Sequence, residues 1–154
     1  MTKESRQPPA LAAWAALLHT ERELQDKIEE HLKRAELPPL DWYDVLHELE
    51  FSDRGMLRQT SLQRSTKLAQ YNVCRLIDRL QKDGLVQRRS CPMDARNNVV
   101  VITDKGRDLR QRMCPVYRAA VDAHVGQHLS DAESEQLRAI LTKLQAQHAK
   151  SSPG

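Results

Sequence analysis

At 154 residues the chain has room for one domain with helical extensions, and its composition, 40% hydrophobic and 29% charged, supplies enough apolar material for a core. No run approaches the roughly 20 apolar residues of a membrane span, and the polar start MTKESRQPPA has no apolar stretch of the kind that opens a secretion signal, so a cytoplasmic location is expected. Cys74, Cys91 and Cys114 are odd in number and form no CxxC pair, which argues against a disulfide framework and a structural zinc site; no cofactor or metal is expected.

The net charge of +3 hides an uneven distribution. Residues 54–112 hold 14 Lys/Arg and 5 Asp/Glu, a net of +9, and the rest of the chain is net −6. A basic middle between acidic flanks is the footprint of a lobe that approaches a polyanion while another part does something else.

Residues 1–9 read as disordered. From Ala10 the apolar residues Leu11, Trp14, Leu18, Leu24, Ile28 and Leu32 recur at helical spacing, and Glu36-Leu37-Pro38-Pro39 ends that helix. Asp41 is placed to cap a short second helix, whose stripe is Trp42, Val45, Leu46 and Leu49 and which Asp53-Arg54-Gly55 breaks. Residues 56–67 read as a short helical stretch with Leu57 and Leu62 apolar.

A better-defined helix is predicted from about Ala69 to Lys82. Val73, Leu76, Ile77 and Leu80 form its i, i+3, i+4, i+7 stripe, and Gly84 is its left-handed terminator. Leu85–Arg89 and Val99–Ile102 then read as an antiparallel hairpin around a long polar tip, residues 90–98. Thr103 caps a helix running from Asp104 towards Leu129, which Pro115 should bend or break. Ser130 and Glu133 have capping-box spacing and open a last helix with Leu137, Ile140, Leu141 and Leu144 as its stripe; residues 151–154 are a frayed tail.

Helix, helix, then hairpin in the basic middle is an arrangement that can read DNA. The second helix of a helix-turn-helix enters the major groove N-terminus first. Here that end carries Gln70, Tyr71 and Asn72, with Arg75 one turn on. Gln and Asn can each bond an adenine edge twice, Arg a guanine edge, and Tyr71 offers a phosphate donor and a flat face. Arg64, Lys67 and Arg79 suit phosphates by type. The hairpin adds Arg88, Arg89 and Arg96, for which a narrow minor groove is the natural target.

The segment from Ala69 to Arg89 resembles the recognition helix and first wing strand of the MarR family of transcription regulators. Asp94-Ala95-Arg96 is similar to that family's Asp-x-Arg wing signature, and Ile102-Thr103-Asp104-Lys105-Gly106 to the Leu-Thr-x-x-Gly that opens its next helix. The resemblance implies a mainly α fold with a small β hairpin: a winged helix-turn-helix lobe, residues 40–103, with helical dimerisation regions at 10–36 and 104–150. It also implies that Arg96 reaches the minor groove while Asp94 helps to hold it. Cys74 stands where Ser or Thr is common, and Asn97 where a small residue is more usual. Independently of the family, apolar stripes on the first and last helices call for a partner surface, which a symmetric copy supplies.

The expected function is therefore a sequence-specific, non-enzymatic transcription regulator, a repressor that binds an inverted repeat in double-stranded DNA as a homodimer. The resemblance further implies a small phenolic or aromatic effector. Trp14, His19, Trp42, Tyr43 and His47 are candidates for its pocket, although core packing accounts for the Trp and Tyr residues equally well. The alternatives are a redox-sensing regulator acting through a cysteine, with Cys91 on the wing as the candidate, or a basic protein-interaction module. His124 and His128 are at i, i+4 but lack a further ligand at metal spacing. Neither a nucleophile elbow nor a phosphate-binding glycine loop is present.

Overall fold

The structure, a computed structural model, describes residues 7–66, 70–91 and 94–149. The chain divides into two compact units, Met1–Tyr117 and Arg118–Gly154.

In the first unit, helix α1 spans Pro9–Arg34 and opens with proline in its first turn, where a missing amide costs nothing. It ends where Glu36 takes a left-handed conformation (φ 56°) and the Leu37 amide returns to the Leu32 carbonyl at 2.9 Å. Only the C-terminal half of its stripe, Ile28 and Leu32, is buried. Helix α2 spans Leu40–Glu50 and buries Tyr43, Val45, Leu46 and Leu49. Asp41 is not its cap, as the sequence led us to expect. Pro39 holds the cap position, and the Leu40 amide donates instead to Glu29 Oε1 of α1 at 2.9 Å. A carboxylate from another helix thus satisfies an amide that the local sequence leaves open.

The stretch after Gly55 also differs from the expectation. Met56–Arg58 is a strand, β1, and the helix α3 occupies only Gln59–Thr66. Three residues are too few to show alternation; the strand exists because β3 offers it a ladder, with Met56 opposite Val101. Helix α4 spans Gln70–Lys82, and Val73, Leu76, Ile77 and Leu80 are all buried. Gly84 (φ 76°) ends it as expected, and the Leu85 amide returns to the Leu80 carbonyl at 2.9 Å.

Strands β2 (Val86–Cys91) and β3 (Asp94–Ile102) are longer than the sequence implied and extend into the expected tip, where Cys91 stands opposite Asp94 after an irregularity between Arg89 and Cys91. The sheet order is β1-β3-β2, antiparallel throughout. Alternation places Val86, Val100 and Ile102 in the core, where they pack beneath the helices. Truncating a side chain as enclosed as Ile77 to alanine would cost about 2–5 kcal/mol.

Helix α5 spans Asp104–Val121 and starts as predicted, with Thr103 Oγ1 accepting from the Gly106 amide at 3.1 Å. Pro115 does not break it; the interruption comes later, as a π-type turn at Asp122–Gly126. Proline removes one helical amide, and the turns on either side of it here keep the helix going. Helix α6 spans Asp131–Ala149, and its capping box is formed. Ser130 Oγ accepts from the Glu133 amide at 3.1 Å, and the Ser130 amide donates to Glu133 Oε1 at 3.0 Å, which holds that carboxyl below its ordinary range. Leu137, Ile140 and Leu144 of α6 are exposed, and so are Leu11, Trp14, Leu17 and Leu18 at the start of α1.

Candidate nucleic-acid interface

Helix α4 has two faces. The apolar stripe is sealed against the sheet and α3, and Asn72, Arg75 and Arg79 stand exposed on the opposite side. Their spacing, three and then four residues, sets them in one row along the helix. The sequence-based placement of these three therefore agrees with their exposure. Arg64 near the end of α3 and Arg89 on β2 are exposed as well. Lys67 lies outside the described residues, as do the side chains of Gln70, Tyr71, Cys91, Asp94 and Arg96.

Arg88 behaves differently from the other arginines. Residues 86 and 88 share one face of β2, so Arg88 points to the side on which Val86 is buried while Arg89 points away. Its guanidinium forms an ion pair with Asp78 of α4, and its Nη2 donates to the Cys74 carbonyl at 3.1 Å. The Cys74 thiol in turn accepts from Gln59 Nε2 of α3 at 2.7 Å. Cys74, half-buried, is thus held between two neighbouring elements on the flank of the helix. Sequence reading missed Gln59, and it set Asp78 beside Arg79 as a charge neighbour where the structure pairs it with Arg88. The place of Asp78 beside Cys74 was detectable, since it stands four residues on and so one turn along the same face.

The C-terminus of α4 is fastened to the start of α5. Thr103 Oγ1 donates to the Gly84 carbonyl at 2.7 Å, the Thr103 amide to Leu85 at 3.0 Å, and Lys105 Nζ to the Asp83 carbonyl at 2.7 Å. Arg107 then ties α5 to α2 through Glu50, at 3.3 Å.

A second cluster lies between α2 and α5. Tyr43, His47 and Phe51 recur every four residues, with ring centroids 5.3 Å and 4.8 Å apart, and Tyr117 sits 4.8 Å from Tyr43. The Arg110 guanidinium lies 5.2 Å from the centre of the Phe51 ring, and its Nε is buried without a hydrogen-bond partner. Burial first, then the Cys114 thiol, pushes the Tyr43 hydroxyl up; burial and the charge of Asp44 do the same for Tyr117. Both phenols remain donors at neutral pH. Of the five effector candidates, Tyr43 and His47 are in this cluster. Trp42 is half-buried nearby in sequence, and Trp14 and His19 stand exposed on α1. Phe51, Arg110 and Tyr117 were missed, although the four-residue aromatic ladder and the seven-residue step from Arg110 to Tyr117 were visible.

Just outside the cluster Asp44 has a carboxyl pushed up to about 6. The side chain reaches solvent, but lost hydration on its inner side, followed by the charges of Asp41, Glu48 and Glu29, disfavours the ionised form. Burial also raises Asp41. Among the described residues no group of three His, Cys, Asp or Glu could hold a metal ion, and no helix is long and apolar enough to cross a membrane.

Two helices in sequence, a recognition-type helix with an exposed polar row, and a three-stranded antiparallel wing define a winged helix-turn-helix protein. Residues 36–97 match the model of the MarR family. Among solved structures, the chain is similar to Sco3205 of Streptomyces coelicolor, a MarR family transcriptional regulator seen in complex with DNA. That match has 28% identity and a TM-score of 0.80, and it covers 93% of this chain and 91% of the other. AbsC of the same organism is 24% identical over 99% of both chains, at a TM-score of 0.80. BpsR of Bordetella bronchiseptica is 22% identical over 87% of this chain and 98% of its own, at 0.77. Over residues 36–97 the chain matches the MarR family, and over nearly its whole length it is similar in fold to MarR family transcription regulators.

Proposed function

We propose that the chain represses transcription by occluding a promoter, bound as a homodimer to an inverted repeat in double-stranded DNA. The observation that carries this reading is the exposed row Asn72, Arg75 and Arg79 on a helix whose other side is sealed, beside a wing strand presenting Arg89. Amide and guanidinium groups in such a row suit base edges and phosphates of a major groove. In this reading residues 40–103 are the DNA-binding lobe, Lys67, Gln70, Tyr71 and Arg64 complete its contacts, and Arg96, held by Asp94, enters the minor groove. The protein acts in the cytoplasm and is not an enzyme. That Sco3205 was seen with DNA supports the partner.

Residues 10–36 and 104–150 form the dimerisation region. Support comes from the exposed leucines, isoleucine and tryptophan of α1 and α6, a large apolar area for a single chain to leave in water. Two-fold symmetry would set the recognition helices about 34 Å apart, one turn of DNA.

A small phenolic or aromatic ligand releases the DNA. The cluster of Tyr43, His47, Phe51 and Tyr117 beside the Arg110 guanidinium offers stacking faces and a cation to an aromatic carboxylate. DNA binding by BpsR, a protein of the same fold, is regulated by 6-hydroxynicotinic acid. Such a ligand acts only through its differential affinity for the DNA-binding and released arrangements.

Selection of sites from random duplex DNA at about 0.15 M salt, where charge attraction is partly screened, tests the proposal. Enrichment of an inverted repeat with half-sites one turn apart is expected. Enrichment of no sequence would overturn the operator reading and leave a basic lobe that binds a protein.

A further inference from the structure

We infer that Arg88 touches no DNA and is instead the strut that fixes the recognition helix to the wing; the inference rests on the DNA-binding reading above. By residue type Arg88 and Arg89 are identical, and the sequence assigns both to the DNA-facing wing. The strand decides between them. Alternation sends Arg89 outward and Arg88 to the side of Val86, where a cation must find partners or lose its hydration uncompensated.

It finds two, both on α4 and one turn apart. Asp78, on the exposed side of the pair, supplies the counter-charge and the Cys74 carbonyl a second acceptor at 3.1 Å, while the guanidinium Nε is closed off from solvent without a hydrogen-bond partner. A planar guanidinium held at two points fixes an orientation as well as a distance. Gln59 of α3 reaches the same residue from the opposite element, through the Cys74 thiol at 2.7 Å. The recognition helix is therefore gripped near Cys74 by both the element before it and the wing after it. The exposed row on its outer face inherits its aim from that grip. Arg88 is in this sense a positioning residue, and its effect is confined to complexes that need the helix and the wing to engage together.

The test measures affinity for the selected operator and for random duplex DNA, each across a salt series, with wild type, Arg88→Gln, Arg89→Gln, Asp78→Asn, and the double variant of Arg88→Gln with Asp78→Asn. A phosphate contact removed lowers the salt slope by about one and weakens all sequences alike. Arg89→Gln is expected to behave in that way. Arg88→Gln is expected to lose about tenfold on the operator, the size of a broken pairwise coupling, with its salt slope and its binding to random DNA kept. The double variant should lose no more than Arg88→Gln alone, because both changes break one interaction, whereas independent damage to the fold would add. A lowered salt slope for Arg88→Gln, equal loss on both DNAs, or losses that add in the double variant would overturn the inference. A wild type that binds no DNA even at low salt would instead bring down the regulator reading, and this inference with it.

Discussion

Gly106, in the first turn of α5, lies directly against the carbonyl of Leu85, the residue that follows the left-handed end of the recognition helix. A Cβ at position 106 would collide with that oxygen and stand 2.9 Å from Ile102 Cγ1. The contact lets Thr103 and Lys105 bond the last carbonyls of the α4 terminus, so recognition helix and long helix are joined without a spacer. Gly106→Ala should cost about 1–3 kcal/mol, because the obstruction is backbone that cannot swing away. Urea unfolding would show it as a lowered midpoint, and an unchanged midpoint would mean that α5 does not dock this closely.

The exposed row on α4 predicts two kinds of loss. Asn72→Ala and Arg75→Ala should each remove about 1–3 kcal/mol of discrimination at one operator position. Arg96→Ala should weaken binding by about 1–3 kcal/mol through the lost wing contact. Affinities for a set of single-base operator variants distinguish the two. Uniform weakening by the α4 substitutions would make those residues phosphate contacts, and unchanged binding by Arg96→Ala would remove the wing from the interface.

For the aromatic cluster, hydroxylated aromatic carboxylates at about 100 times their dissociation constant should stabilise the protein by about 2.7 kcal/mol. Arg110→Ala should abolish that gain while neutral phenols retain part of theirs. Thermal shifts measured across such a panel decide the point; an Arg110→Ala protein that keeps the full carboxylate response would place the ligand elsewhere.

The carboxyl of Asp44 gives stability a definite pH trend. Its folded pKa, about 6, lies above the ordinary carboxylate value, so between roughly pH 4 and 6 the folded state holds more protons than the unfolded one. Its contribution therefore falls as pH rises through that window. Asp44→Asn should raise the melting temperature at pH 7 by about 2–4 °C, a shift of about 1 kcal/mol in a chain of this size after discounting for solvent screening. The advantage should vanish near pH 4. A gain that persists at pH 4 would trace to packing instead of charge.

Where one helix face determines whether a residue is buried or exposed, the sequence was a sufficient guide. The stripe Val73, Leu76, Ile77 and Leu80 fixes by helical period which side of α4 is sealed, and so leaves Asn72, Arg75 and Arg79 outside. Caps and terminators were legible for the same local reason: Gly84, Thr103 and the Ser130–Glu133 box each act within one turn of where they stand in the chain. Strand β1 was not legible, because its ladder partner, Val101 opposite Met56, lies far along the chain.

The amino-acid order by itself determined the helix–helix–wing plan, the basic middle and the outward row of the recognition helix, since these follow from short-range periodicity and charge. Only the tertiary structure decided that Glu29, not Asp41, completes α2, and that Phe51, Arg110 and Tyr117 join Tyr43 and His47. It also separated Arg88 from Arg89. Each of these depends on a partner brought from another element, and which partner arrives is set by packing between helices and strands, a long-range outcome that no local spacing encodes.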